Sequence, residues 1–302
     1  MTGASSNKVE RVEMGELTCW RVHGAQGELL ITQQGAQILE YREHGQQPLI
    51  WLSEQAALKA GQSVRGGVPV CWPWFGDLAR NPQSVQAMHD GSVPASAHGL
   101  VRGIDWQLGD IREGDGEIVL SLSCPTDDLP GWPLAPELTF EIRLGEHLRL
   151  ELINHNRSDR PQALSQALHT YFAIGDIHQV RVEGLDGCRY LETLENWQER
   201  RQQGDVTFSG ETDRVYLDVP GKLHIEDPAW QRRIHIHASG SSSAVVWNPW
   251  IDKSQRLSQF ADDAWQRMLC IETAKVADDV LQLAPGESHR LQVEYWSEPL
   301  HG

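Results

Sequence analysis

Nothing in the 302 residues pairs cysteines at two-residue spacing, and the five that occur, Cys19, Cys71, Cys124, Cys188 and Cys270, are scattered and odd in number. That argues against a disulfide framework or a zinc knuckle and for a reducing compartment. No apolar run approaches ~18 residues, so no membrane span is expected. Residues Met1 to Glu16 lack the apolar core and cleavage pattern of a targeting peptide. A cytoplasmic location is the expectation. G-x-G-x-x-G after a strand, a P-loop, a G-x-S-x-G elbow and H-E-x-x-H are all missing, which removes the usual marks of dinucleotide, nucleotide, serine-hydrolase and zinc-protease chemistry. Positive charge is scarce, with 26 Lys and Arg against 42 Asp and Glu and a net charge of -16. Nucleic acid is therefore not an expected partner, because a phosphate backbone needs a basic surface. A small phosphorylated molecule stays open, since two arginines in a cleft make a local positive field.

Helical periodicity is also scarce. Ser53 to Ala60 and Asp262 to Met268 are the short candidates. Period two dominates instead. Leu138, Phe140, Ile142 and Leu144 alternate with polar residues, Gly145-Glu146 makes a two-residue turn, and Leu148, Leu150 and Leu152 alternate again, which is a hairpin signature. The same alternation recurs at Ile118 to Leu122, Val180 and Val182, Leu223 and Ile225, Ile234 and Ile236, and Leu291 to Tyr295. Many strands, each with one apolar face, predict an all-β, large antiparallel β-sandwich. No fixed-period repeat points to a propeller. No linker divides the chain, and Ser239 to Ser243 reads as a turn between strands. One domain, 1–302, is expected, with residues 1–16 a flexible or peripheral start.

What the chain does have is a dense run from Val64 to Trp106. It opens Val64-Arg65-Gly66-Gly67-Val68-Pro69-Val70-Cys71-Trp72-Pro73-Trp74-Phe75-Gly76 and closes on His98-Gly99-Leu100-Val101-Arg102-Gly103. Gly and Pro break any regular pattern there, so loop and strand ends are expected. The guanidinium forks of Arg65 and Arg102 suit phosphate or carboxylate, and the neighbouring glycines let backbone approach a ligand. By type alone the two are equally well surface arginines. His98 can hydrogen-bond a sugar oxygen or cap a turn. Trp72, Trp74, Phe75, Trp247 and Trp250 can wall a pocket, although most of the twelve tryptophans should be packing material.

Two further residues carry acid–base potential. Alternation places His169 on one face with Ala167 and Tyr171, opposite Leu168, Thr170 and Phe172. It is either a hydrogen-bonded structural histidine or a proton-transfer group. Glu272 sits in the apolar run Met268 to Ala274, so it either pairs, faces a cleft or ends a strand in solvent. Asp213 can accept hydrogen bonds from hydroxyls or simply start a strand. His235 and His237 share a face two residues apart, a metal-pair spacing for which the sequence places no third ligand. A solvated pair is the expectation.

Taken in order, the Val64–Gly103 run, Ala167-Leu168-His169-Thr170-Tyr171-Phe172, Asp213-Arg214-Val215-Tyr216, Val246-Trp247-Asn248-Pro249-Trp250 and Cys270-Ile271-Glu272-Thr273-Ala274 resemble the motifs of the hexose-6-phosphate mutarotases, a branch of the aldose 1-epimerase superfamily. The resemblance spans residues 64 to 276. It implies the galactose mutarotase-like supersandwich, Glu272 as catalytic base and His169 as acid in ring opening, and substrate contacts from Arg65, His98, Arg102, Asp213 and Trp74. No metal and no cofactor are implied. The partner would be a small sugar phosphate, the chain a monomer or weak homo-oligomer. The rivals are an epimerase for unphosphorylated aldoses, a glycoside hydrolase, which needs two carboxylates, and a non-catalytic carbohydrate-binding protein.

Overall fold

A computed structural model describes residues 8–127, 129–134 and 136–300. Two large antiparallel sheets dominate. The nine-stranded sheet runs, edge to edge, Val206–Thr207, Arg181–Glu183, Lys222–Asp227, Arg232–Ser239, Ser288–Pro299, Leu148–His155, Glu137–Leu144, Glu117–Ser123 and Gln107–Gly114. The eight-stranded sheet includes, in order, Gln198–Arg201, Arg189–Glu192, Thr212–Leu217, Ser243–Asn248, Met268–Lys275, Gln166–Leu168 and Val70–Cys71, with Tyr171–Ala173 also pairing with Met268–Lys275. Leu150, Leu152, Ile234, Ile236 and Tyr295 from the first sheet bury against Ala244, Val246, Leu269, Ile271 and Phe172 from the second. The Thr170 and Tyr295 hydroxyls meet at 2.8 Å inside this core, and Phe172 packs edge-on to Tyr295 with ring centroids 5.2 Å apart. The all-β sandwich expected from the alternation is what the chain forms.

Some local expectations need correction. The hairpin around Gly145 pairs Leu144 with Leu148, so its loop has three residues, Gly145 to His147, rather than two. Ser53 to Ala60 forms turns, not helix: Ser53 Oγ instead donates to the Gln259 carbonyl at 2.6 Å, a tertiary tie that the local pattern does not encode. In Asp262 to Met268 the helical segment is a single 3-10 turn, Ala264–Arg267. The start of the chain is not loose from Lys8 onward. Lys8–Met14 pairs along its length with Leu17–His23 as the edge of a four-stranded meander completed by Gly27–Thr32 and Ile38–Glu43. Residues 1–7 lie outside the described residues. The Ser239 to Ser243 turn does connect strands, and it carries the chain from the nine-stranded to the eight-stranded sheet.

Candidate active site

The register of the eight-stranded sheet builds the site. Asp213 pairs with Trp247, Trp247 with Cys270, and Cys270 with Tyr171. One step along, Val215 pairs with Val245 and Val245 with Glu272. Leu168 faces Thr273 and Tyr171 faces Cys270, so the same register carried across the gap sets His169 opposite Glu272. Side chains of a lateral row share a face. Asp213, Trp247 and Tyr171, with Val215, Val245, Glu272 and His169, all line one cavity of about 320 Å³. The intervening residues Val246, Ile271 and Phe172 point into the core. The alternation read for His169 is thus the observed one.

The Val64–Trp106 run, mostly irregular as expected, supplies another wall with Arg65, Phe75, Gly76, Asp77, Arg80, Asn81 and His98. Two of its glycines hold it close to the sheets. Gly67 and Gly99 both have positive φ, and a Cβ would stand 2.1 Å from the Ile38 carbonyl oxygen and 2.0 Å from that of Trp72. Thr193 from the 3-10 turn Thr193–Glu195, Trp197, and Lys253 from the short helix Trp250–Ser254 close the cavity.

His169 Nε2 lies 3.5 Å from Glu272 Oε1, and their side chains are 12% and 2% exposed. His169 Nδ1 and Glu272 Oε2 are buried with no hydrogen-bond partner among the described residues. The imidazole stacks on Tyr171 at 4.8 Å between ring centroids. Burial, then the His98, Arg102 and Arg65 charges, hold the His169 pKa well below its ordinary value. Burial, then Asp213, holds that of Glu272 well above the carboxylate range. Both causes favour the uncharged pair, a neutral imidazole beside a protonated carboxyl. That pair has the same proton count as an imidazolium beside a carboxylate. The geometry therefore allows one proton to be held in either arrangement of the pair.

His98 lies beside them, 5.5 Å from His169 between ring centroids. Burial, then Arg102 and Arg65, push its pKa down to about 3. The Gly76 N–H donates to its Nδ1 at 3.2 Å, so the hydrogen of the neutral ring sits on Nε2. Burial likewise raises Asp213, with Lys253, 3.8 Å away, acting against the shift. Arg65 donates to the Tyr171 hydroxyl at 3.4 Å. The thiols of Cys71 and Cys270, behind the cavity, are raised by burial. All five cysteines are free and buried.

The structure thus gathers His169, Glu272, Arg65, His98 and Asp213 around one cavity. Arg102 does not line it. Its Nη2 donates to the Ala97 carbonyl at 2.6 Å, and its charge reaches His98 and His169. Trp74 is misplaced by the sequence. It is fully buried, donates from Nε1 to the Ser96 carbonyl at 2.8 Å and packs on Trp132 and His89. Trp72 is core as well, bonded to Asn154 Oδ1, and Trp250 packs on Trp265 outside the lining. Phe75 and Trp247 are the pocket aromatics that the sequence did find, and Trp197 one that it missed. Arg80, Asn81 and Lys253 were missed too. The first two lie inside the Gly/Pro-rich run, which was the available signal; Lys253 follows the Val246–Trp250 motif by three residues.

An antiparallel supersandwich with a buried His–Glu pair facing a cavity of mixed charged and aromatic lining defines a class, the sugar-ring isomerases of mutarotase fold. The comparisons narrow this. The sequence pattern of the family described as Aldose 1-epimerase matches residues 20–296. A protein of Cenchrus ciliaris named "Putative glucose-6-phosphate 1-epimerase" is 32% identical over 277 residues, 88% of this chain and 80% of that one. One of the same name from Escherichia coli K12 is 32% identical over 273 residues, 89% and 87% of the two chains. Among solved structures, that of YeaD from Salmonella typhimurium, described as a "putative mutarotase", superposes with a TM-score of 0.85 at 28% identity, covering 96% of this chain and 94% of that one. The chain belongs to the aldose 1-epimerase family and is an enzyme of the isomerase class. Among the described residues no helix is long and apolar enough to cross a membrane.

Proposed function

We propose that this enzyme interconverts the α and β anomers of a hexose 6-phosphate, glucose 6-phosphate being the first choice of substrate. The observation that carries the reading is the His169–Glu272 pair, 3.5 Å apart in a cavity that also presents Arg65 and Arg80. Free aldoses give such guanidinium groups no anionic partner, whereas a phosphate does. The names borne by the relatives from Cenchrus ciliaris and Escherichia coli point to the same substrate.

In ring opening, Glu272 as carboxylate takes the proton of the C1 hydroxyl while His169 as imidazolium protonates the ring oxygen. The C1–ring-oxygen bond breaks and C1 becomes an aldehyde. Rotation about C1–C2 presents its other face. The freed hydroxyl then attacks C1, its proton returns to His169, and Glu272 gives its proton to the new C1 hydroxyl. The relay ends as it began, and no electron pair leaves the substrate. Burial and the neighbouring charges favour the uncharged form; sugar hydroxyls donating to Glu272 favour its carboxylate, and a phosphate dianion that neutralises Arg65 favours the imidazolium. His98, neutral with its hydrogen on Nε2, serves as a fixed donor to a sugar oxygen, and Asp213 as an acceptor for hydroxyls. Arg65, with Arg80 on the lining and the Arg102 charge behind His98, answers the phosphate.

The test is an anomerisation assay on glucose 6-phosphate beside free glucose and galactose, with spontaneous mutarotation subtracted. The reading expects the phosphorylated sugar to be used best. Faster use of free galactose would assign the enzyme to unphosphorylated aldoses, and no acceleration of any of the three would leave a carbohydrate-binding protein.

A further inference from the structure

The outer face of the nine-stranded sheet holds a second cluster, away from the cavity. Ile234 and Ile236 point into the core, so His235 and His237 lie on the opposite face. The sequence offered no third ligand, but the strand pairing brings one: His224 of Lys222–Asp227 sits directly across from His235. One nitrogen from each of His224, His235 and His237 lies within 4.8 Å of the other two. On the far side of His235 the register places Trp296, whose ring stacks parallel to the imidazole with centroids 4.6 Å apart. Trp296 also backs His237 at 4.6 Å. Glu298 brings Oε1 to 2.9 Å from His235 Nε2.

We propose that His224, His235 and His237 bind a divalent transition-metal ion of the zinc, copper or nickel kind, with the Glu298 carboxylate as a fourth ligand. Three imidazoles and one carboxylate are a donor set these ions accept. Tetrahedral ligands about 2.1 Å from a zinc ion stand about 3.4 Å from one another, so the cluster closes by small side-chain rotations. Two observations point to a ligand rather than to a solvated group of histidines. His224 Nδ1 is buried with no hydrogen-bond partner among the described residues, and the Glu298 carboxylate stands at His235 Nε2, 2.9 Å away. The neighbouring cation Arg233 is paired with Glu226 and Glu183. Bound there, an ion would tie three adjacent strands together and leave the acid–base cavity untouched.

The experiment uses the full, tag-free chain stripped with a chelator and dialysed. Zinc chloride titrated by calorimetry in a non-coordinating buffer should show saturable uptake of one ion per chain. Copper should bind more tightly than zinc, and its electron paramagnetic resonance spectrum should carry hyperfine structure from several nitrogens. A hundredfold excess of zinc over its Kd should raise Tm by roughly 5 °C. His224→Gln and His237→Gln should each weaken binding by more than about tenfold, the lower end of what even outer partners of a ligand contribute. Anomerisation should stay at the parent rate in both variants, which also certifies their fold. No saturable uptake by the parent, a copper spectrum without nitrogen structure, or parent-like affinity in the variants would overturn the site.

Discussion

His169 and Glu272 face each other across a gap in the ladder. The pairs Leu168–Thr273 and Tyr171–Cys270 fix the ladder on either side, and His169 Nε2 reaches Glu272 Oε1 at 3.5 Å across it. The strands that flank His169 are held by ladder bonds to the strand of Glu272, and the His169 N–H donates to the Pro69 carbonyl at 2.9 Å, so the distance is set more firmly than in a free loop. Glu272→Gln keeps shape but cannot take a proton as a carboxylate does. Turnover in Glu272→Gln and in His169→Ala should each fall about 10²–10⁴-fold, the usual worth of a positioned acid or base, with near-UV circular dichroism unchanged. Near-parent turnover in Glu272→Gln would remove it from the base role.

The same substitution should stabilise the protein. The Glu272 pKa is raised in the fold, so above about pH 4.5 the unfolded chain has released a proton that the native state keeps. Native stability then falls as pH rises towards the folded pKa. A glutamine does not pay this penalty. The Tm of Glu272→Gln minus that of the parent should therefore be small near pH 4.5 and grow through pH 7. A difference that is flat or shrinks with pH would contradict a buried, protonated Glu272.

The pH–rate profile should be bell-shaped, because the relay works with one proton, neither two nor none. A second proton must enter His169, whose pKa lies well below 6.5. The acid limb of kcat/KM should thus fall below pH 6.5. The basic limb marks the loss of the relay's one proton from Glu272, whose pKa is held well above 4.5. An acid limb centred at 6.5 or higher would mean a solvated histidine.

Arg65 should carry the preference for a phosphorylated sugar. A charge-assisted hydrogen bond contributes on the order of 1.5–3 kcal/mol, so Arg65→Ala should weaken use of the sugar phosphate by roughly ten- to a hundredfold. Use of the free sugar should change much less. Arg80→Ala should act in the same direction. Arg102→Ala should lower both, since Arg102 also anchors the Ala97 carbonyl beside His98. Equal losses on both sugars in Arg65→Ala would make that arginine structural.

The sheet architecture was legible because alternation is a local property: Ile118, Leu120 and Leu122, or Leu150 and Leu152, are buried as their spacing requires. The faces of His169 and Tyr171 followed from the same rule. Distances across the sheet were not legible, because pairing is non-local. Nothing near Glu272 announces His169, and only the family resemblance joined them. Trp74 failed for a related reason, since aromatics among glycines and prolines look alike whether they wall a pocket or plug a core. His224 was recoverable. Taking Lys222–Asp227 and Arg232–Ser239 as one hairpin would have set it opposite His235.

His98 offers the sharpest separation of binding from proton transfer. Its pKa, pushed down to about 3 by burial and by Arg102 and Arg65, keeps the ring neutral throughout the working range. Its Nδ1 is occupied by the Gly76 N–H, which leaves Nε2–H as the donor. A group of this kind stabilises charge that develops on a sugar oxygen without exchanging its own proton. Removing one such preorganised donor typically costs about 10²–10³ in kcat. His98→Ala should show that loss and yet keep both limbs of the pH profile where the parent has them. His98→Gln, which retains an N–H donor on a side chain of similar reach, should recover part of the rate. If instead a limb of the profile moves or vanishes in His98→Ala, the histidine titrates during turnover, and the acid role would pass from His169 to His98.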